Sequence, residues 1–237
     1  MQVKTKAIVI SSLKYQEKSL IVKCLTHSDG LKSYFVPNAF STKKGNQKIA
    51  YFQPLSILEI EASHKNKGSL EHFKEIKLAH AYKNIPNDII KSTIVLFLSE
   101  ILHYSIHEEE KNESLFDFLE SALLWLDAHD ETTNFHLILM LEMTKFFGFY
   151  PDNSESVFNF FDCKEGNFTA FQGTNCLSEH ETFLFKKLID LKFDSDQKVF
   201  AGVERQVLLK ILLDYYLMHL DGFKKPKSLD VLKKVFS

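Results

Sequence analysis

His103 and His107 stand four residues apart and are followed by Glu108 and Glu109, a spacing that on a helix would turn both imidazoles toward one metal ion. No third ligand follows at a metal-site spacing, so the group reads as a polar helix end, where histidine favours the negative dipole. Cys163 and Cys176 raise the same question for zinc. A tetrahedral structural site needs four nitrogen or sulfur ligands, and neither cysteine belongs to a CxxC pair. Cys24, inside the apolar run SLIVKCLT, reads as a small core residue. Lys43-Lys44-Gly45-Asn46 lacks the closely placed glycines that let backbone amides reach a phosphate, so it is neither a Walker loop nor a dinucleotide fingerprint. No nucleophile elbow or paired-carboxylate motif is evident. The expectation is a protein with no catalytic residue, no metal and no cofactor.

Charge is the remaining signal. The formal net charge of −2 hides an asymmetry: residues 1–80 carry 13 lysines against 6 acids, which leaves the remainder near −9. A positive region beside a negative one points to a polyanion bound by the first. With 237 residues, 45% of them hydrophobic, the chain can bury a core in one large or two modest domains. The basic opening MQVKTK precedes AIVI, far too short for a signal-peptide core, and NFHLILMLEMTKFFGFY is cut by Glu142 and Lys145. A cytoplasmic protein is expected, and three cysteines give no disulfide framework.

The elements that carry these lysines change character near residue 80. Up to there the apolar residues alternate in short runs, AIVISSL, SLIVKCLT, LKSYFV, PLSILEIEA and SLEHFKEIKLA, which predict five strands. Asp29 and Gly30 in HSDGL can supply the positive φ of a tight hairpin, and the polar HKNKGS separates the last two runs. Five short strands are too few for two sheets and close most economically as a small barrel. Beyond Ala81 the period is helical. NDIIKSTIVLFLSEILHY, ESLFDFLESALLWLD, NFHLILMLEMTKFF, HETFLFKKLIDL, VERQVLLKILLDYYLMHL and SLDVLKKVF each place apolar residues three or four apart. Ser178 and Glu181 form a capping-box pattern, and Ser228 is the expected N-cap of the last helix. Residues 151–177, rich in phenylalanine, have no helical period and predict a small irregular insertion.

This order of parts resembles the bacterial recombination mediator RecO family. The resemblance is carried by KTKAIVISSLKYQEKSLIVKCLTHSDGLKSYFVPNAF, by FQPLSILEIE and by KSLDVLK; it runs over nearly the whole chain and is strongest over residues 4–62. It implies an α+β protein, with a five-stranded OB-fold β-barrel over residues 1–80 and an all-helical domain over 81–237. It implies recombinational repair at the bacterial nucleoid. Single- and double-stranded DNA would be bound and complementary strands annealed. The implied partners are RecR, the acidic C-terminal tail of single-stranded DNA-binding protein and, indirectly, the RecA recombinase. Many relatives carry a four-cysteine zinc site after a GYxP-like turn. Here the turn is GFYPD and only Cys163 and Cys176 follow, so the zinc is not carried over. Packing of Phe158, Phe160, Phe161, Phe168 and Phe171 is expected in its place.

An OB barrel holds a strand by a positive groove that tracks phosphates and by exposed rings on which bases stack. The expected DNA contacts are Lys14 and Lys18 in the first interstrand loop, Lys32 and Tyr34 on the third strand, and Lys43, Lys44 and Lys48 in the segment after it. Tyr15 and Phe40 are stacking candidates. Phosphates carry no sequence information, so binding should be non-specific. An acidic peptide ending in an apolar residue needs an apolar pocket rimmed by a cation, for which Lys145, Arg205 and Lys210 interrupt otherwise apolar helices. The rival reading is a non-enzymatic scaffold whose small barrel takes a peptide or RNA; an enzyme with a dispersed site ranks third.

Overall fold

Five strands, β1 (Gln2–Tyr15), β2 (Ser19–Thr26), β3 (Gly30–Val36), β4 (Ile57–Ser63) and β5 (His72–Leu78), form one antiparallel sheet in the order β3-β2-β1-β4-β5. The structure is a computed structural model that describes residues 2–40, 49–65, 69–106, 111–195 and 199–236. β1 is long enough to serve two neighbours: Gln2–Ile8 pairs with β4 and Ala7–Tyr15 with β2. A bulge between Val9 and Ser11 bends β1 within its pairing with β2, just past the end of its pairing with β4. The sheet's edges then meet. Phe35 N–H donates to the Glu71 carbonyl at 2.9 Å and Glu71 N–H to the Ser33 carbonyl at 2.8 Å, so β3 is joined to the entry of β5 and the sheet closes as an OB-fold barrel.

Alternation along the strands fills this barrel. Ala7, Val9, Val22, Cys24, Leu58 and Ile60 are buried inside it, and Phe52 and Phe73 close it with their rings stacked 5.7 Å apart. Gly30 takes the positive φ of the β2–β3 turn at 66°, as its place in HSDGL requires, while Thr26 Oγ1 accepts the Asp29 N–H at 3.1 Å.

Two helices follow, α1 (Ile89–Ser105) and α2 (Glu113–Ala128). Asp88 caps α1 by accepting the N–H groups of Ile90 and Lys91. Lys6 on β1 donates to Glu120 of α2 at 2.8 Å, and His27 meets the Phe116 ring edge-on at 5.2 Å. These ties hold α2 to the barrel, and α1 packs against β1. By packing, the chain divides into Met1–Ala128 with Pro226–Ser228, and His129–Lys225 with Leu229–Ser237. The change of periodicity near residue 80 marks a change of element type, and the packing boundary comes later, at Ala128.

The second unit holds α3 (Phe135–Met143), a hairpin of β6 (Phe160–Asp162) and β7 (Asn167–Thr169), then α4 (Glu179–Asp190), α5 (Gly202–His219) and α6 (Leu229–Val235). α3 stops short of the expected NFHLILMLEMTKFF run because Thr144 turns back on it: its hydroxyl donates to the Leu141 carbonyl at 2.6 Å. The Ser178–Glu181 capping box forms as expected. Ser228 does not cap α6, since its hydroxyl has no hydrogen-bond partner among the described residues. Of the expected phenylalanine cluster, Phe161 and Phe168 are buried, whereas Phe171 is 84% exposed.

His136 lies in the core of this unit, 5.0 Å from the Phe236 ring. Burial, with the Arg205 guanidinium adding to it, pushes the imidazole down to about 3. The folded chain therefore keeps His136 neutral while an unfolded chain takes up the proton. Stability should fall by about 1.4 kcal/mol per pH unit as pH drops below about 6.5. Thermal melts between pH 7 and pH 5 check this, and His136→Leu should remove that slope.

Candidate nucleic-acid interface

Residues of β3 alternate between the barrel interior and its outer face, and the register with β2 decides which is which. Tyr34 opposes Val22 and points inward, while Phe35 opposes Ile21 and lies on the outer face. Phe35 there meets Tyr15 edge-on at 6.2 Å and His72 edge-on at 6.0 Å, so Tyr15, Phe35 and His72 make a row across β1, β3 and β5. Lys23 opposes Ser33 on the same face, and burial lowers its pKa. The β1–β2 hairpin extends this surface. The Lys14 ammonium sits 5.5 Å over the Phe40 ring, and Phe40 N–H donates to the Lys18 carbonyl at 3.3 Å.

Electrostatics separate this region from the rest of the barrel. Lys4 pairs with Glu61, Lys6 with Glu120 and Lys77 with Glu75. Among the described residues Lys14, Lys18 and Lys23 form no ion pair. Part of the barrel's unneutralised positive charge thus lies beside the aromatic row; Lys65 and Lys74 also form no ion pair among the described residues. Sequence reasoning missed Lys23, Phe35 and His72. Alternation within SLIVKCLT was the available signal for Lys23, since a lysine amid strand-core residues must face outward.

Two expected contacts are corrected. Tyr34 is fully buried, its ring stacked on Phe73 at 4.0 Å and its hydroxyl 2.7 Å from His64 Nε2, so it has no face to offer a base. Lys32 shares its inward parity, is 8% exposed and is already engaged within the protein. His64 Nδ1 in turn lies 3.2 Å from Asp29 Oδ2, giving a carboxylate–imidazole–phenol row at one end of the barrel. Burial first, then the charges of Cys24, Asp29 and Glu71, push the Tyr34 phenol far above its ordinary pKa. It stays protonated and cannot act as a nucleophile. Lys43, Lys44 and Lys48, like His107, Glu108 and Glu109, lie outside the described residues.

Two family models match the chain in order: Recombination protein O N terminal over residues 1–82 and Recombination protein O C terminal over residues 86–230. The chain belongs to the RecO family. Similar proteins include DNA repair protein RecO of Flavobacterium johnsoniae, 70% identical over the full length of both chains, and that of Flavobacterium psychrophilum, 69% identical, again over both full lengths. DNA repair protein RecO of Christiangramia forsetii is 40% identical over the same extent. Membership in the RecO family gives the chain its role in DNA repair and recombination.

In this RecO family chain the three cations expected to bind a partner are differently engaged. Lys145 bonds Glu142 at 2.5 Å and lies 4.5 Å over the Tyr150 ring. Arg205 donates to the Phe200 carbonyl at 2.7 Å and packs over Phe236. Lys210 follows Arg205 by five positions on α5, about 140° around the helix, and is exposed. A cleft of about 510 Å³ in the first unit is lined by Leu78, His80, Tyr82, Ile85 and Val95. The Tyr82 hydroxyl is committed to the Leu55 carbonyl at 2.8 Å, so the cleft's character is mainly apolar. Among the described residues no helix is long and apolar enough to cross a membrane.

Proposed function

We propose that the first unit binds DNA on the outer face of β2 and β3 and along the β1–β2 hairpin. Phosphates contact Lys14, Lys18 and Lys23, with Lys43, Lys44 and Lys48 of the following segment, and unstacked bases rest on Tyr15, Phe35 and Phe40. The observation that carries this reading is the aromatic row beside three lysines, Lys14, Lys18 and Lys23, that form no ion pair among the described residues. Backbone contacts and ring faces are indifferent to base identity, so both single- and double-stranded DNA are bound without sequence preference. Two strands held by their backbones leave their base edges free to pair, which is the route to annealing. The reading extends to contact with RecR and with the acidic tail of single-stranded DNA-binding protein and, through them, to help in loading RecA in the bacterial cytoplasm; family membership supports this. Of the three cations considered for the tail, Lys210 is the one left exposed and outside any ion pair among the described residues.

Charge reversal tests the phosphate contacts. For single-stranded DNA, log K falls with log salt at about −0.7 per phosphate neutralised, so Lys14→Glu/Lys18→Glu should weaken binding and make the slope shallower by about 1.4. Oligonucleotide anisotropy across a salt series reads both. An unchanged affinity and slope would remove these lysines from the interface.

A further inference from the structure

The hairpin of β6 and β7 occupies the place where family resemblance sets a four-cysteine zinc site, and its residues do not fit zinc. Among the described residues no three His, Cys, Asp or Glu side chains converge to hold a metal ion. Two tight turns are formed all the same. In the first, Asp162 Oδ1 accepts the N–H of Lys164 at 2.8 Å and of Glu165 at 3.1 Å, and the Asp162 carbonyl accepts that of Gly166 at 2.8 Å. In the second, Cys176 Sγ accepts the Gly173 N–H at 3.1 Å. The turns lie side by side, because Asp162 and Cys176 are bridge partners with Oδ2 and Sγ 4.0 Å apart.

A metal-bound thiolate in such a turn has two tasks: it ligates the ion and it accepts the N–H groups of its own turn. We propose that this hairpin is a metal-independent module in which the Asp162 carboxylate and the Cys176 sulfur retain the second task, while a ring cluster supplies the cohesion an ion would give. Phe161 lies 5.0 Å from Phe168, 4.8 Å from Phe185 and 6.0 Å from Tyr215, joining the hairpin to α4 and α5. His219 Nε2, 2.8 Å from the Cys163 carbonyl, adds a polar tie to α5. The tip is pinned as well: Gly166 has φ +71°, and a Cβ there would meet the Tyr215 hydroxyl at 3.0 Å.

The test combines metal analysis of the purified full chain with thermal melts of three proteins, with and without chelator. The parent should carry no stoichiometric zinc and should melt identically with chelator present. Asp162→Ala should lower the melting midpoint by about 5 °C, whereas Asp162→Asn, whose Oδ1 still accepts both N–H groups, should stay close to the parent. A variant Asp162→Ala too unstable to purify beside a folded, zinc-free Asp162→Asn also supports the proposal. Stoichiometric zinc in the parent, a midpoint lowered by chelator, or an Asp162→Ala protein as stable as the parent would each overturn it.

Discussion

Replacing Asp127 with alanine should destabilise the first unit by about 3–5 kcal/mol, the largest effect expected of any single polar substitution in it. Asp127 closes α2, where the helix dipole disfavours a carboxylate, so it gains nothing from its place on the helix. Its function is to receive the chain that leaves the barrel. Oδ2 accepts the Lys83 N–H at 2.9 Å, and Oδ1 accepts those of Asn84 at 2.8 Å and Ile85 at 2.9 Å. The Asn84 side chain and the buried Lys91 ammonium both donate to the Asp127 carbonyl. Alanine leaves three backbone donors without an acceptor, two of them half-buried and one buried. Asp127→Asn keeps an oxygen for Asn84 and Ile85 but turns an NH₂ toward the Lys83 N–H, so its loss should be intermediate.

A pH signature accompanies this. Burial works against the charge of Asp127, but the N–H groups of Lys83, Ile85 and Asn84, with His80 nearby, outweigh it and hold the carboxyl below its ordinary 3.8. The stabilisation is thus complete above the unfolded value and is lost as pH falls through the lower folded one. Chemical denaturation near neutrality, repeated in acid, should show the parent and Asp127→Ala converging only below about pH 4.

The second large effect is on binding. Tyr15→Ala/Phe35→Ala should weaken affinity for a single-stranded oligonucleotide at least about 30-fold, since each lost stack costs about 1–3 kcal/mol. Tyr34→Phe provides the contrast. It removes a hydroxyl bonded to His64 inside the barrel, so it should cost about 1 kcal/mol of stability and leave affinity unchanged. Titration of a labelled oligonucleotide alongside denaturant curves separates the outcomes, and equal affinity losses from both variants would mean that the outer ring row is not the stacking platform.

The contrast between Phe35 and Tyr34 shows what the amino-acid order alone could and could not convey. Period-two runs located all five strands, and the change to a helical period located the helices. In GLKSYFV, however, apolar residues occupy both parities, with Leu31 and Phe35 on one and Tyr34 and Val36 on the other, so the pattern does not say which side is the core. Only pairing with β2 resolves it, and pairing is a long-range property. The same limit hid the Asp127 clamp, whose donors lie 42 to 44 residues away in sequence. Local signals fared better: the Ser178–Glu181 box and the positive φ at Gly30 need only a few adjacent residues, and both formed.

Binding of a fluorescent single-stranded oligonucleotide by the intact parent chain, measured across a salt series, tests DNA recognition by the barrel most directly. The expected result is tight binding at low salt, a linear decrease of log K with log salt whose slope corresponds to several phosphates, and residual affinity at high salt that disappears in Tyr15→Ala/Phe35→Ala. Affinity that is absent at low salt, or that does not change with salt, would contradict it.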